Sequence, residues 1–435
     1  MVIPTIIIAV LTCLVLILSV LFFPKICIGK IKINTYWVVG IVGALLMLAF
    51  GCISFKDALA GLTSDSSVNP IKILVLFISM TILSIFLDEI GFFKYLACIA
   101  TRKAKSNQIV LFIILYLLVS VLTVFTSNDI VILTFTPFIC YFAKNTKINP
   151  IPYLVAEFAA ANTWSMMLII GNPTNIYLGT AAGIDFISYL KVMALPTLFA
   201  GIVEIALILL LFRKSLKEPL NLEITEEKIS DKVSLIIGLA HLIVCLTLLI
   251  ISSYIAMDMW LICLSCAASL IVCSSIYFAI KRASFKVLLR TIVRLPWDLI
   301  PFVLSMFIIV LSINQQGISE ILRNFLGDKD IIFRYGYTSY LACNLINNIP
   351  MSVLYSTIPN MATDLMQQQA IFSTIIGSNI GAFLTPIGAL AGIMFSDLVT
   401  KQEVKYSFLQ FVKNGLLISI PTITAALLGL MLVLH

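Results

Sequence analysis

The sequence predicts an all-α polytopic membrane protein of two inverted-topology repeats, each with a re-entrant hairpin and a discontinuous transmembrane helix. Three observations predict it: an apolar composition, charged loops that alternate along the chain, and a polar, helix-breaking interruption that occurs in both halves. Of 435 residues, 61% are hydrophobic and 11% charged, against about 45–50% and 25% in soluble domains. Mean hydropathy is +1.10. The net charge of +7 is spread over short loops with no basic block long enough to form a groove. That excludes nucleic acid as a partner and makes the lipid bilayer the surrounding solvent.

A membrane-spanning helix needs about 20 apolar residues. Runs of that kind lie at 3–23, 35–54, 71–93, 189–212, 233–255, 257–280, 297–313 and 407–434. The first has neither the positive leading segment nor the shorter apolar core of a signal peptide, so it reads as a transmembrane helix. Lys25, Lys30 and Lys32 follow it; Lys56, Asp57 and Asp65 follow the second run; Lys94, Arg102, Lys103 and Lys105 follow the third. The positive-inside rule then places both termini outside a cytoplasmic membrane. Residues 213–232, rich in Lys and Glu, read as a cytoplasmic linker between an N-terminal repeat, 1–212, and a C-terminal repeat, 233–435. Lys281, Arg282, Lys286, Arg290 and Arg294 mark a further inside loop. The runs of the two halves therefore oppose each other in direction, a pattern of secondary transporters that puts a site at the repeat interface.

The interruptions fall where that pattern needs them. In the first half a hairpin at 108–143 carries Ser127-Asn128-Asp129 at its tip, and a full span by 108–126 is the alternative. A broken helix at 151–187 then carries Gly171-Asn172-Pro173-Thr174-Asn175. In the second half a hairpin at 335–361 carries Asn347-Asn348-Ile349-Pro350, and a broken helix at 366–399 carries Thr385-Pro386-Ile387-Gly388. Unpaired backbone groups cost several kcal/mol each in hydrocarbon, so irregular backbone at that depth survives only in protein or along a cavity. Pro and Gly make a break there rather than a gentle bend.

The residues at these places set the expected site: Ser127, Asn128, Asp129, Asn162, Thr163, Asn172, Thr174, Asn175, Asn347, Asn348, Ser378, Asn379, Thr385 and Gly388. Half-helix N-termini favour an anion, and unwound carbonyls favour a small cation. Asp129 is an ionisable group at membrane depth, suited to binding Na⁺ with Ser127, Asn128 and Asn175 or to moving a proton, with helix capping as its bland role. Glu204 and His241 read as local hydrogen-bonding groups. Glu157, Asp88 and Glu89 read as hydrated groups near the inner face.

No phosphate-binding loop, HExxH pair or G-x-S-x-G elbow is present, so no enzyme is expected. The ten cysteines lie singly in apolar runs except Cys263-Leu264-Ser265-Cys266, which reads as small residues in helix packing. Neither disulfides nor a resident cofactor is expected, apart from Na⁺. The expected energy source is an ion gradient, or a separate ATPase subunit, which nothing in the sequence indicates.

The chain resembles the ion transporter superfamily, most of all the branch of arsenite efflux permeases, NhaD-type antiporters and citrate-transporter-like proteins. The segments that carry the resemblance are Ser127-Asn128-Asp129 to Thr136-Pro137, Ala161-Asn162-Thr163, Gly171 to Asn175, Asn347-Asn348-Ile349-Pro350-Met351, and Ile376-Gly377-Ser378-Asn379-Ile380-Gly381 to Ala391. The resemblance implies a scaffold, a mobile transport region, a homodimer and elevator motion. Arsenite permeases often have acidic residues where this chain has Asn162 and Asn379, while Asp129 is kept. Neutral amides there favour a small anion or oxyanion moved with or against Na⁺ or H⁺, with arsenite or antimonite efflux, Na⁺/H⁺ exchange and a channel as the alternatives.

Overall fold

The computed structural model describes residues 1–434 except 24, 29–30, 65–68, 105–106, 219–228, 230, 253, 359–360 and 362. Lys30, Asp65, Lys105 and most of the 213–232 linker lie outside the described residues. In chain order the elements are α1 (Val2–Phe22), β1 (Lys25–Ile28), β2 (Ile31–Asn34), α2 (Thr35–Ala49), α3 (Phe55–Thr63), α4 (Pro70–Glu89), α5 (Phe92–Ala104), α6 (Gln108–Phe125), α7 (Asn128–Thr146) and α8 (Ile151–Trp164). Two 3₁₀ turns, Ser165–Met167 and Ile169–Gly171, precede α9 (Pro173–Ala181) and α10 (Phe186–Leu211). The second half holds α11 (Lys232–Ile250), α12 (Met259–Ile280), α13 (Lys286–Val293), α14 (Leu299–Gln315), α15 (Ile318–Leu326), α16 (Ile331–Ile346), α17 (Asn348–Ser356), α18 (Asp364–Gly381), α19 (Leu390–Lys401) and α20 (Phe408–Val433).

Among the described residues, α1, α4, α6, α10, α11, α12 and α20 are long and apolar enough to cross a bilayer, and α14 with α15 forms a pair bent by 79°. The expected span at 35–54 stops at Ala49, where the chain turns through Gly51 at φ +68. The loop after α1 is not irregular: β1 pairs antiparallel with β2, Lys25 opposite Asn34. Isoleucine at alternate positions suits such a ladder, a signal that the lysines obscured.

Burial sorts the spans. The apolar window of α4 is 72% buried and that of α1 only 22%, so α4 runs through the interior while α1 lies on the outside of the helix bundle. The long helices α10 and α20 pack together, as do α16 and α18. The second contact is close because Gly377 of α18 lies against α16: a Cβ there would stand 2.0 Å from Ser339 Oγ and 2.3 Å from Gly336 O.

Candidate functional site

Both halves contain two helices joined at a polar corner, followed by a helix pair with a gap in the α-helix. The first corner is Thr126-Ser127, between α6 and α7. Asn128 opens α7; its Oδ1 accepts from Asp129 N at 2.9 Å, and its Nδ2 donates to Asn162 Oδ1 on α8 at 3.3 Å. Ser127 is the N-cap residue without a side-chain cap bond, and its buried Oγ has no partner. Asp129, half-buried in the first turn of α7, favours the positive end of the helix dipole.

The first gap is wider than its Gly-Asn-Pro sequence suggests. Expected to run to 170, α8 ends at Trp164, and the gap spans 165–172. Pro173 does not interrupt a helix; it is the first residue of α9, where a missing N–H costs nothing. Asn172 caps it, its Oδ1 accepting from Thr174 N at 3.2 Å. A Cβ on Gly171 would stand 2.1 Å from Ser165 O, so only glycine permits the chain to fold back here.

In the second half, Asn347 joins α16 to α17 at φ +70. Its Nδ2 donates to Ile387 O at 3.0 Å, and Asn348 N donates to Gly388 O at 2.9 Å. Thr385 Oγ1 donates to Asn344 Oδ1 at 2.6 Å. This corner and the second gap, 382–389 between α18 and α19, are therefore bonded to each other. Asn348 Oδ1 is buried without a partner.

Asn379 of α18 joins the halves. Its Nδ2 donates to Asn175 Oδ1 at 2.7 Å, and its Oδ1 accepts from Asn172 Nδ2 and Ser165 Oγ, each at 3.0 Å. Asn175 Nδ2 in turn donates to Ser165 O at 2.8 Å. The side-chain bonds of Asn175 thus run to the first gap and to Asn379, not to Ser127, Asn128 or Asp129 with which the sequence grouped it. Ser378 Oγ beside Asn379 is buried and unpartnered. Ser165 and Asn344, absent from the expected set, are integral to this network.

Asp129 lines a cavity of about 850 Å³, together with Tyr36, Thr81, Asp298, Pro386 and Ile387. Lys25 and Arg294 also line it, each held by acids: Lys25 Nζ lies 3.0 Å from Asp397 Oδ2, and Arg294 Nη1 lies 2.7 Å from Asp88 Oδ2 and 2.6 Å from Glu89 Oε1. Phe77 of α4 lines this cavity and also a void of only about 20 Å³ against α9 and α17.

Four carboxylates differ from expectation. Glu157 is not hydrated: it is 2% exposed, and its two oxygens share the Thr136 hydroxyl at 3.2 and 3.1 Å. Asp88 and Glu89 are largely covered by their contact with Arg294. Glu204 bonds to other helices rather than locally, accepting from Tyr116 Oη and from Thr163 Oγ1. The CxxC residues are buried thiols, with Cys263 Sγ 3.9 Å from Cys245 Sγ.

Apolar spanning helices, two interrupted helix pairs and a polar centre between them define a membrane transporter rather than an enzyme. The chain belongs to the citrate transporter family CitMHS, whose sequence profile matches residues 26–377. Two arsenical pump membrane proteins of Escherichia coli are similar to it. One is 26% identical over 375 residues, covering 82% of this chain and 85% of that one. The other is 24% identical over 411 residues, covering 90% and 92%. The YdaH transporter of Alcanivorax borkumensis shares the fold, with a TM-score of 0.58 at 12% identity over 99% of this chain and 98% of that one.

Proposed function

We propose that this multi-pass protein is a secondary active transporter that moves a small anion or oxyanion across the cytoplasmic membrane. Transport is coupled to Na⁺ or H⁺ through Asp129. The observation that carries the reading is the Asn379 network, which ties the gap of one half to a helix of the other and leaves Ser127 Oγ, Ser378 Oγ and Asn348 Oδ1 buried and unpartnered at the same set of breaks. Buried polar groups without partners are rare in folded proteins, and a bound ion supplies the missing contacts. The helix starts at Asn128, Pro173 and Asn348 add positive partial charge. In this reading the halves 1–212 and 233–435 are inverted repeats with both termini outside, working as a homodimer by elevator motion.

Arsenite or antimonite extrusion is the second reading. It is favoured by the name shared by the Escherichia coli relatives and by the neutral amides and hydroxyls around Asn379, which suit an uncharged trihydroxide. Two experiments separate the readings. In proteoliposomes holding the purified chain, Asp129→Asn abolishes gradient-driven uptake; unchanged uptake removes the coupling role. Expression in an arsenite-sensitive host restores growth only under the second reading.

A further inference from the structure

Glu204 lies in the C-terminal half of α10 and is fully buried. Two other helices supply its partners: Tyr116 Oη of α6 donates to Oε1 at 2.9 Å, and Thr163 Oγ1 of α8 donates to Oε2. Trp164 Nε1 donates to Tyr116 Oη at 3.2 Å. Tyr116 has a second acceptor within reach, Gly201 O at 3.0 Å. No basic side chain bonds to Glu204 among the described residues. On α11, His241 is turned to Ile237 O and Ser269 Oγ. Lys413 of α20 and Lys191 near the start of α10 are exposed, and the side-chain bonds to Glu204 come from Tyr116 of α6 and Thr163 of α8.

The Tyr116 hydroxyl has one proton and two acceptors in range. With Glu204 ionised, Tyr116 and Thr163 both donate to it. With a proton on Glu204 Oε1, the Tyr116 proton turns to Gly201 O, the new carboxyl O–H is donated to the Tyr116 oxygen, and Thr163 Oγ1 still donates to Oε2. Every polar atom of the cluster keeps a partner in both states, so neither carries the cost of an unpaired buried group. Glu157 has no such arrangement, since one Thr136 hydroxyl serves both its oxygens.

We propose that Glu204 is a proton-carrying carboxyl of the transport cycle, taking one proton from water and returning it to water in each turn. Thr163, which donates to Oε2, is the residue that positions this carboxyl. The inference rests on the secondary-transport reading, and its test is separable from that reading.

Infrared difference spectra of the purified full chain between acid and alkaline pH are expected to show a carboxylic-acid C=O band that is missing in Glu204→Gln. Identical spectra overturn the proposal whether or not transport is seen. In proteoliposomes given arsenite or citrate as the probe, Glu204→Gln loses uptake driven by a pH gradient and keeps exchange at equal pH. Retained pH-driven uptake also overturns it. Should Glu204→Gln not fold, Tyr116→Phe removes one donor and is expected to move the pH midpoint of the band; an unmoved midpoint overturns the proposal. Absence of gradient-driven uptake in the unmodified protein defeats the transport reading instead, and the infrared band still decides whether Glu204 takes up a proton.

Discussion

Asn379 Nδ2 and Asn175 Oδ1 lie 2.7 Å apart although 204 residues separate them. Because Asn379 also accepts from Asn172 and Ser165, one amide holds three polar groups that are buried with it. Each such group left unpaired costs about 1–3 kcal/mol. Asn379→Ala is therefore expected to lower the thermal unfolding midpoint in detergent and to abolish uptake. A variant that melts like the parent sinks this account of the junction.

The close contact of α16 and α18 gives a second prediction. At Gly377 the obstacles to a Cβ include the backbone Gly336 O at 2.3 Å, which cannot swing aside as a side chain can. Gly377→Ala is expected to destabilise by about 1–3 kcal/mol, the usual range for overpacking. Thermal melts beside Gly51→Ala, where a Cβ meets nothing within 4 Å, show whether steric contact or positive φ matters more.

Two ion pairs beside the cavity are expected to differ sharply. Removing the cation at Arg294 leaves Asp88, with its side chain 7% exposed, without its ion pair, and Glu89, 9% exposed, with only the more distant Arg290 at 4.0 Å. Breaking a buried pair in this way costs about 3–5 kcal/mol. Lys25 and Asp397 are 35% and 43% exposed, and such pairs contribute about 0–1 kcal/mol. Arg294→Gln should thus destabilise far more than Lys25→Gln in denaturation experiments, and equal effects contradict the assignment.

The pH dependence at Asp231, the cap of α11, has a definite sign. Burial pushes this carboxyl up, but hydrogen bonds from Tyr277 Oη and Ser234 and the nearby Lys281 ammonium hold it below the ordinary aspartate range. A depressed folded-state value stabilises the fold above the unfolded value and ceases to do so as pH falls through the folded one. The melting difference between the parent and Asp231→Asn is expected to be full at neutral pH and to shrink below about pH 4. A difference that grows in acid refutes this.

Much of the fold is legible because lipid imposes length and apolarity on any spanning helix, so the runs at 71–93, 189–212 and 407–434 return as α4, α10 and α20. The corners at Ser127 and Asn347 are legible from polar residues that hydrocarbon does not tolerate. The true end of α8 is not. Ser165 to Ile170 is compatible with helix, and it unwinds because Asn175 takes the Ser165 carbonyl while Gly171 folds back on it. Ser165 was invisible as a site residue for the same reason: its partner Asn379 lies 214 residues away. Glu157 misled through proximity in sequence to a charged loop, since its cover comes from Thr136 on another helix. The short helices α3, α5, α13 and α15 carry charges and fell below any spanning criterion.

The cavity that ends at Asp129 and Phe77 changes what the membrane voltage acts on. A vestibule of about 850 Å³ lined by Lys25, Asp298 and Asp129 conducts ions far better than hydrocarbon, so little potential falls along it. If that vestibule is hydrated, more of the drop would fall across the layer of helices packed around the small void by Phe77, α4, α9 and α17. Each elementary charge crossing that layer exchanges about 2.3 kcal/mol with a 100 mV potential. If the proposed coupling through Asp129 holds, the coupling ion would sit where this vestibule meets the packed helices, and a short displacement from there would carry much of the electrical work.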